Sequence, residues 1–318
     1  SNVALCMHPD YDYVKVKNNA DGITYYMVPS KNMSKIDRKQ VAFCREAISR
    51  FAPNLIHVHG TEHSLAQAVC LANDNNIRII ANIQGLASGI APFADGGLSF
   101  WDKLTNITPL DFYRGTFLLN VRRSMRNRAN CEKFILTHVT NAIGRTQWDE
   151  DHVMCINPRL HYHLMNETLR DSFYEAPFWN YENCKKHTIF LSNSGAPLKG
   201  AHQFLKALSI VVRKYPDTKV NICGSSVMSK DWKTLIKFQG YHLYLRRLVK
   251  KMKLGKYLNF MGGITESQMK QAYLDANVYV LSSAIENSSN SLCEAQILGT
   301  PVVASYCGGT PTLVEDGK

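Results

Sequence analysis

From Thr188 onward, short apolar runs rich in β-formers alternate with amphipathic stretches, a spacing that leaves few folds open. The runs are Thr188–Leu191, Lys219–Cys223, Tyr257–Met261, Val278–Leu281 and Pro301–Ser305, and between them lie AHQFLKALSIVVRKY, YHLYLRRLVKKM and SQMKQAYLDA. Apolar strands separated by helix-period segments read as βαβ units, hence a parallel sheet with helices on both faces. The first half repeats the pattern less regularly. Val3-Ala4-Leu5-Cys6 opens as a strand, Leu55–His59 precedes the helix-like HSLAQAVCLANDNN, and Arg78–Ile83 precedes the loop QGLASGIAP. Thr140–Ile143 leads into GRTQWDEDHV. In FYRGTFLLNVRRSMRNRANCEKFIL, Phe117, Val121 and Met125 recur every four residues as one apolar helix face, with Arg122, Arg123 and Arg126 on the other sides. The aromatic, weakly periodic stretch 172–186 marks the boundary. The expectation is an α/β chain of two Rossmann-like domains with parallel sheets facing across a cleft, 1–178 and 179–318, which a length of 318 residues accommodates.

Composition narrows the class. Apolar residues make up 45% and charged residues 20%, as in folded globular proteins, and no apolar run reaches the roughly 18–20 residues that span a bilayer. No signal-peptide pattern opens the chain, which begins in a strand and stops at Glu315-Asp316-Gly317-Lys318 in a turn, so a piece of a longer protein is expected. The nine cysteines contain no Cys-x-x-Cys pair, which favours reduced core thiols and a cytoplasmic location over disulfides or zinc. His161-Tyr162-His163 is a weak metal signal and no metal site is expected. The net charge of +11 calls for an anionic partner, and nucleic acid, lipid headgroups and phosphorylated substrates all satisfy it.

In an open parallel sheet, ligands bind beyond the carboxyl ends of the strands. There the second half places SNSGAPLKG with Lys199 and Gly200, then Gly224-Ser225-Ser226, Gly262-Gly263, SSAIENSSNS and Gly308-Gly309-Thr310. The fourth loop runs into the helix SLCEAQILG, whose amino end suits a diphosphate. Glu294 stands one turn inside it, where a carboxylate can take two ribose hydroxyls, and Glu286 in the loop can take hydroxyls of a sugar. Blander readings stand beside these. Ser291-x-x-Glu294 is also a capping box, Glu286 and Lys199 read as solvated surface charges, His59 as a polar rim residue, and Arg145 as a structural hydrogen-bonder.

These residues resemble a known family. SSAIENSSNSLCEAQILGTPVVASYCGG is similar to the donor-site signature of family 4 glycosyltransferases of the GT-B fold, whose acidic motif is Glu, seven residues, Glu. GAPLKG, NICGS and YLNFMGGITESQM extend the likeness upstream, and PNLIHVHG, IQGLASGIA, IGRTQWD and NETLRDSFY resemble bacterial capsule and surface-polysaccharide transferases of that group. The resemblance implies retaining transfer of a sugar from a UDP- or GDP-linked donor to a hydroxyl of a glycan or lipid-linked acceptor, with no cofactor and no required metal. Glu294 would hold the ribose, Glu286 the donor sugar, and Asn287, Ser288, Ser289, Asn290 and Ser291 the sugar and phosphates. Lys199 beside Gly200 would neutralise the diphosphate, Gly224, Gly262 and Gly263 would lie by the base, and His59 would reach toward the donor sugar. Arg122, Arg126 and Arg145 would serve the acceptor side, with peripheral contact at an anionic membrane. The chain departs from the family in having no Arg shortly before Lys199, in Thr312 where relatives carry Glu, and in lacking the family's first Gly-rich loop and its closing C-terminal helix.

Two other readings remain. One keeps the fold for a nucleotide-sugar epimerase or sugar phosphorylase. The other is a basic nucleic-acid-binding protein, against which the dispersed Lys and Arg residues and the absence of a recognisable module argue; no specific nucleic acid is expected.

Overall fold

The computed structural model describes residues 2–8, 15–18, 22–29 and 35–317; Ser1 and Lys318, and the side chain of Cys6, lie outside that description. The chain divides into two compact units, residues 1–91 with 123–166, and residues 92–122 with 167–318. The first unit holds two sheets rather than one. In the smaller, β1 (Asn2–His8) runs parallel to β3 (Ile23–Pro29), with β2 (Lys15–Asn18) antiparallel on the far side of β3. The larger is fully parallel, β4 (Leu55–His59), β5 (Arg78–Asn82), β6 (Asn141–Gly144) and β7 (His161–Leu164) in chain order. Cys44, Ile48, Ala68, Val69, Ala81, Ile83, Ile135, Leu136, Ala142 and Val153 form its core. His161-Tyr162-His163 lies on β7, where alternation turns Tyr162 against Asp149 and Thr146 while His163 meets Asn141 at 3.0 Å. No grouping of metal-ligating side chains occurs among the described residues.

The second unit is the covered parallel sheet that the apolar runs predict. Its order is β10 (Leu258–Gly262), β9 (Lys219–Cys223), β8 (Lys185–Leu191), β11 (Ala276–Leu281), β12 (Val302–Ala304), all parallel. Val220, Ile222 and Leu205 pack on one side, and Phe190, Tyr273, Tyr279 and Leu292 on the other. Strand order reverses between β8 and β11, because the chain steps from β8 through β9 to β10 and then returns beyond β8.

Residues 92–122 belong to this unit, so the expected single cut at 178 does not describe the packing, and the second unit resumes at Glu167. The reason is a set of specific contacts. Gly96 carbonyl accepts from His202 Nε2 at 3.0 Å, and the other ring nitrogen of His202 accepts from Tyr241 hydroxyl at 2.9 Å. Burial pushes His202 below its ordinary pKa, which suits this neutral, doubly bonded ring. Buried Asp95 receives Lys103 and Arg122, both at 2.8 Å. Thr108 Oγ1 donates to Phe238 carbonyl at 2.8 Å, and Gly240 N–H donates to Asp111 at 2.9 Å. The continuous helix expected from FYRGTFLLNVRRS is interrupted: helix Pro109–Arg114 ends at Gly115, φ +66°, and the long helix starts at Val121.

No transmembrane helix is present among the described residues. The eight cysteines with described side chains are all unbridged.

Two outcomes follow from this packing. Gly96 sits at φ +64°, and an added Cβ would lie 2.3 Å from Pro197 carbonyl oxygen; Gly96→Ala is expected to lower the unfolding free energy by about 2–4 kcal/mol in urea denaturation. Glu132 is fully buried, accepting from Ala87 N–H at 2.5 Å, from Ser88 N–H at 3.1 Å and from Ser88 hydroxyl. Burial raises its carboxyl from 4.5 to about 7, against the opposing hydrogen bonds. A carboxyl raised in the folded state contributes most below its unfolded value and loses that contribution as pH rises through the folded one. The unfolding free energy should therefore carry a component that falls between pH 4.5 and 7, and Glu132→Gln should remove it in urea titrations over that range.

Candidate active site

The reversal between β8 and β11 is where an open α/β sheet leaves a crevice, since connections from the two neighbouring strands depart in opposite directions. The loop after β8 carries Ser192–Gly200 and the loop after β11 carries Ser282–Ser289. Two hydrogen bonds tie them, backbone Ala284 N–H to Leu198 carbonyl at 2.7 Å and the Ser282 hydroxyl to Lys199 carbonyl at 3.1 Å. Gly200 makes this approach possible: at φ +68° a Cβ would sit 1.7 Å from Ser282 carbonyl oxygen.

The crosslink brings Lys199 and Glu286 together at 2.7 Å, with side chains 26% and 13% exposed. Neither is a solvated surface charge. Ser283 Oγ donates to the same Glu286 oxygen at 3.0 Å, and Gly309 N–H donates to the Glu286 carbonyl at 2.9 Å. The helix Asn290–Ile297 follows, and its amino end carries the partial positive charge common to helix starts. A small recess of about 30 Å³ lies there, lined by Ser192, Asn193, Lys199, Ser283, Ser289 and Ser291 among others.

Glu294 is buried on this helix, and the capping-box reading of it is overturned. Ser289 is the cap, its hydroxyl accepting from Leu292 N–H at 3.3 Å, while the Glu294 carboxylate turns aside to Arg170 at 2.7 Å and Tyr273 hydroxyl at 3.2 Å. One partner sits on each oxygen, which leaves acceptor positions on both.

A larger cavity of about 290 Å³ opens beside the recess at the ends of β8, β9 and β10. Gly224, Gly262 and Gly263 line it, the first two exchanging backbone hydrogen bonds at 2.9 and 3.2 Å. His242 lines it as well. Burial lowers its pKa, and its Nδ1 is shielded from solvent with no hydrogen-bond partner, a neutral group ready for a polar ligand atom. Arg170, Tyr273 and His242 are absent from the expected site. Arg170 lies within NETLRDSFY and Tyr273 in a helix pattern, but nothing local in the sequence ties either to Glu294.

The other expected residues divide between this loop and the first unit. Asn287 is buried in the loop beside Glu286. In the first unit, His59 is exposed at the end of β4 with its ring 4.1 Å from that of His57. Arg145 is buried after β6, where its backbone N–H donates to Asp149 at 3.1 Å. Arg126 is exposed on the helix Val121–His138, and Arg122 is held by Asp95 in the second unit.

Residues 176–318 match the family described as Glycosyl transferases group 1, so the second unit carries a domain of that kind. The chain has the α/β fold of GT-B glycosyltransferases. Sucrose-phosphate synthase from Thermosynechococcus elongatus superposes with a TM-score of 0.71 at 17% identity, over 98% of this chain and 73% of that one. TarM of S. aureus, in complex with fondaparinux, alpha-GlcNAc-glycerol and UDP, gives 0.57 at 15% identity, over 96% and 53%. In sequence, the D-inositol 3-phosphate glycosyltransferase of Streptomyces avermitilis is 28% identical over 122 residues, which is 38% of this chain and 25% of that protein. The match thus spans about a quarter of that relative's length.

The cap assignment is testable. Ser289→Ala should lower stability by about 1 kcal/mol, a typical cap loss. Glu294→Ala should lower it by about 1–3 kcal/mol by stranding Arg170 and the Tyr273 hydroxyl; thermal and urea unfolding of both variants measures this.

Proposed function

We propose that this chain is part of a retaining glycosyltransferase that moves a sugar from a nucleoside diphosphate to a hydroxyl of a glycan or lipid-linked acceptor in surface-polysaccharide synthesis. The observation that supports this most is the meeting of Lys199, Glu286 and a helix amino end at the reversal of strand order. In this reading the diphosphate lies on the helix beside Ser289 and Ser291 and takes Lys199 from Glu286. The ribose hydroxyls donate to Glu294, and the base occupies the cavity of Gly224, Gly262 and Gly263, with His242 as a hydrogen-bonding partner. Glu286, released from Lys199, accepts from hydroxyls of the donor sugar.

The chemistry balances without a protein nucleophile. The anomeric C–O bond breaks with its electrons going to the departing phosphate, the acceptor oxygen bonds to the same carbon on the same face, and the acceptor proton passes to the phosphate. Negative charge growing on the diphosphate meets Lys199 and the helix dipole, both already in place. Positive charge growing on the sugar ring faces Glu286. The likeness to the group 1 family and to a UDP-bound transferase structure supports this assignment.

Calorimetry and transfer assays with UDP- and GDP-sugars test it. Lys199→Ala should weaken nucleotide binding by roughly tenfold or more. Glu286→Gln should slow transfer by about 10²–10³-fold while nucleotide affinity changes little. Activity should survive EDTA, and NMR of the product should show a retained anomeric configuration. Turnover of the nucleotide sugar with no acceptor present would instead mark an epimerase, and failure to bind either nucleotide would end the reading.

A further inference from the structure

Glu294 is buried, and the plane of its carboxylate is set by what holds its two oxygens. The last torsion of a glutamate side chain is broad, so the helix backbone alone does not fix that plane. Tyr273 holds one oxygen weakly. Its single hydroxyl hydrogen is shared between the Ser291 carbonyl at 2.9 Å and Glu294 at 3.2 Å. The firmer hold is Arg170, whose Nη2 donates to the other oxygen at 2.7 Å in a charge-assisted bond.

Arg170 is itself gripped. Its guanidinium carbon lies 4.7 Å from the centre of the Phe173 ring, and its Nε stands 3.9 Å from Glu266. Glu266 in turn accepts from the Ser172 hydroxyl, and Lys270 donates to the Ser172 carbonyl at 3.0 Å. On the helix Glu266–Asp275, Glu266, Lys270 and Tyr273 follow at spacings of four and three, which puts them on one face. Glu266 and Lys270 meet residues 170–172, and Tyr273 meets Glu294, so one helix orders both holders of the carboxylate. A guanidinium is planar with its donors in a fixed fork, and one with carboxylates at two of its nitrogens and a ring beside it has few orientations left.

The consequence lies in what Glu294 can accept. With one partner on each oxygen and its plane held, the carboxylate offers a free acceptor position on both oxygens at once. Two neighbouring hydroxyls use both positions. The cis-diol of a ribose supplies them, and a 2′-deoxyribose does not. We propose that Arg170 is a positioning residue: it fixes the Glu294 carboxylate to receive a cis-diol, and this makes the site select ribonucleotides over 2′-deoxyribonucleotides. The inference rests on the proposed reading in which a nucleotide places its ribose at Glu294. A site built for two hydroxyls rejects a ligand with one, because a buried acceptor is left unpaired.

The test is calorimetry of the whole chain with UDP, 2′-deoxy-UDP, GDP and 2′-deoxy-GDP, with thermal unfolding to confirm that each variant is folded. The wild-type chain should bind the ribonucleotide of at least one pair about tenfold or more tightly than its deoxy form. Arg170→Met removes the cation and keeps an apolar chain beside Phe173; it should bring that ratio down to about threefold or less. Glu266→Gln, a half-exposed position that acts through Arg170 and Ser172, should lower the ratio by about twofold or more. A merely structural role for Arg170, or a direct bond from it to phosphate, would weaken both members of a pair alike and leave the ratio unchanged. An unchanged ratio in Arg170→Met, or in Glu266→Gln should the first variant not fold, overturns the proposal. So does a wild-type chain that binds UDP or GDP no better than its deoxy form, a result that leaves the transferase reading standing. A wild-type chain that binds none of the four ends that reading, and the role of Arg170 with it.

Discussion

The backbone contact between the loop leaving β8 and the loop leaving β11 is the constraint on which the site depends. Both loops run over the ends of neighbouring strands, where polar backbone groups need partners away from the sheet. Leu198 and Lys199 carbonyls find Ala284 N–H and Ser282 Oγ, at a separation that only a glycine at position 200 permits. Lys199 follows directly and is delivered onto Glu286, whose carbonyl is held by Gly309 from the next loop. Three connections of the sheet thus fix the backbone positions from which the Lys199 and Glu286 side chains meet.

The second unit depends equally on a segment that comes to it from the first half of the chain. Residues 92–122 carry their own caps and little core, so their place is set by polar contacts: Gly96 on His202, Thr108 on Phe238, Asp111 on Gly240. Such a segment can keep aromatic side chains outward, because its stability does not require burying them.

What the sequence made legible follows from how local each cause is. The strands of the second unit could be read because each is apolar along its length, as burial on both faces demands. β7 could not: His161-Tyr162-His163-Leu164 sits at the edge of its sheet with only Tyr162 turned inward, so it lacks an apolar run. Gly115 breaks the long helix by its left-handed conformation, a signal that the four-residue spacing of Phe117, Val121 and Met125 obscured. In the site, Lys199 and Glu286 were legible as charges in loops at strand ends. Their pairing, and the partnership of Glu294 with Arg170 across 124 positions, belong to tertiary structure. Ser291-x-x-Glu294 has the spacing of a capping box, but Ser289 caps first, and that moves the helix start and frees Glu294 from the role.

The Lys199–Glu286 pair also bears on how a donor would be selected under the proposed reading. A lysine and a glutamate this sheltered are each penalised when left alone, so the pair holds both in place until a ligand separates them. A diphosphate on the helix amino end can replace Glu286 as the partner of Lys199, exchanging one ion pair for another. Glu286 then keeps only the Ser283 hydroxyl and needs further donors. A nucleotide without a sugar leaves that need unmet, whereas the hydroxyls of a donor sugar meet it at the same moment that Lys199 is satisfied by phosphate. Under that reading, binding of the two halves of the donor would be coupled through one carboxylate, and the full nucleotide sugar would complete a set of contacts that neither half completes alone.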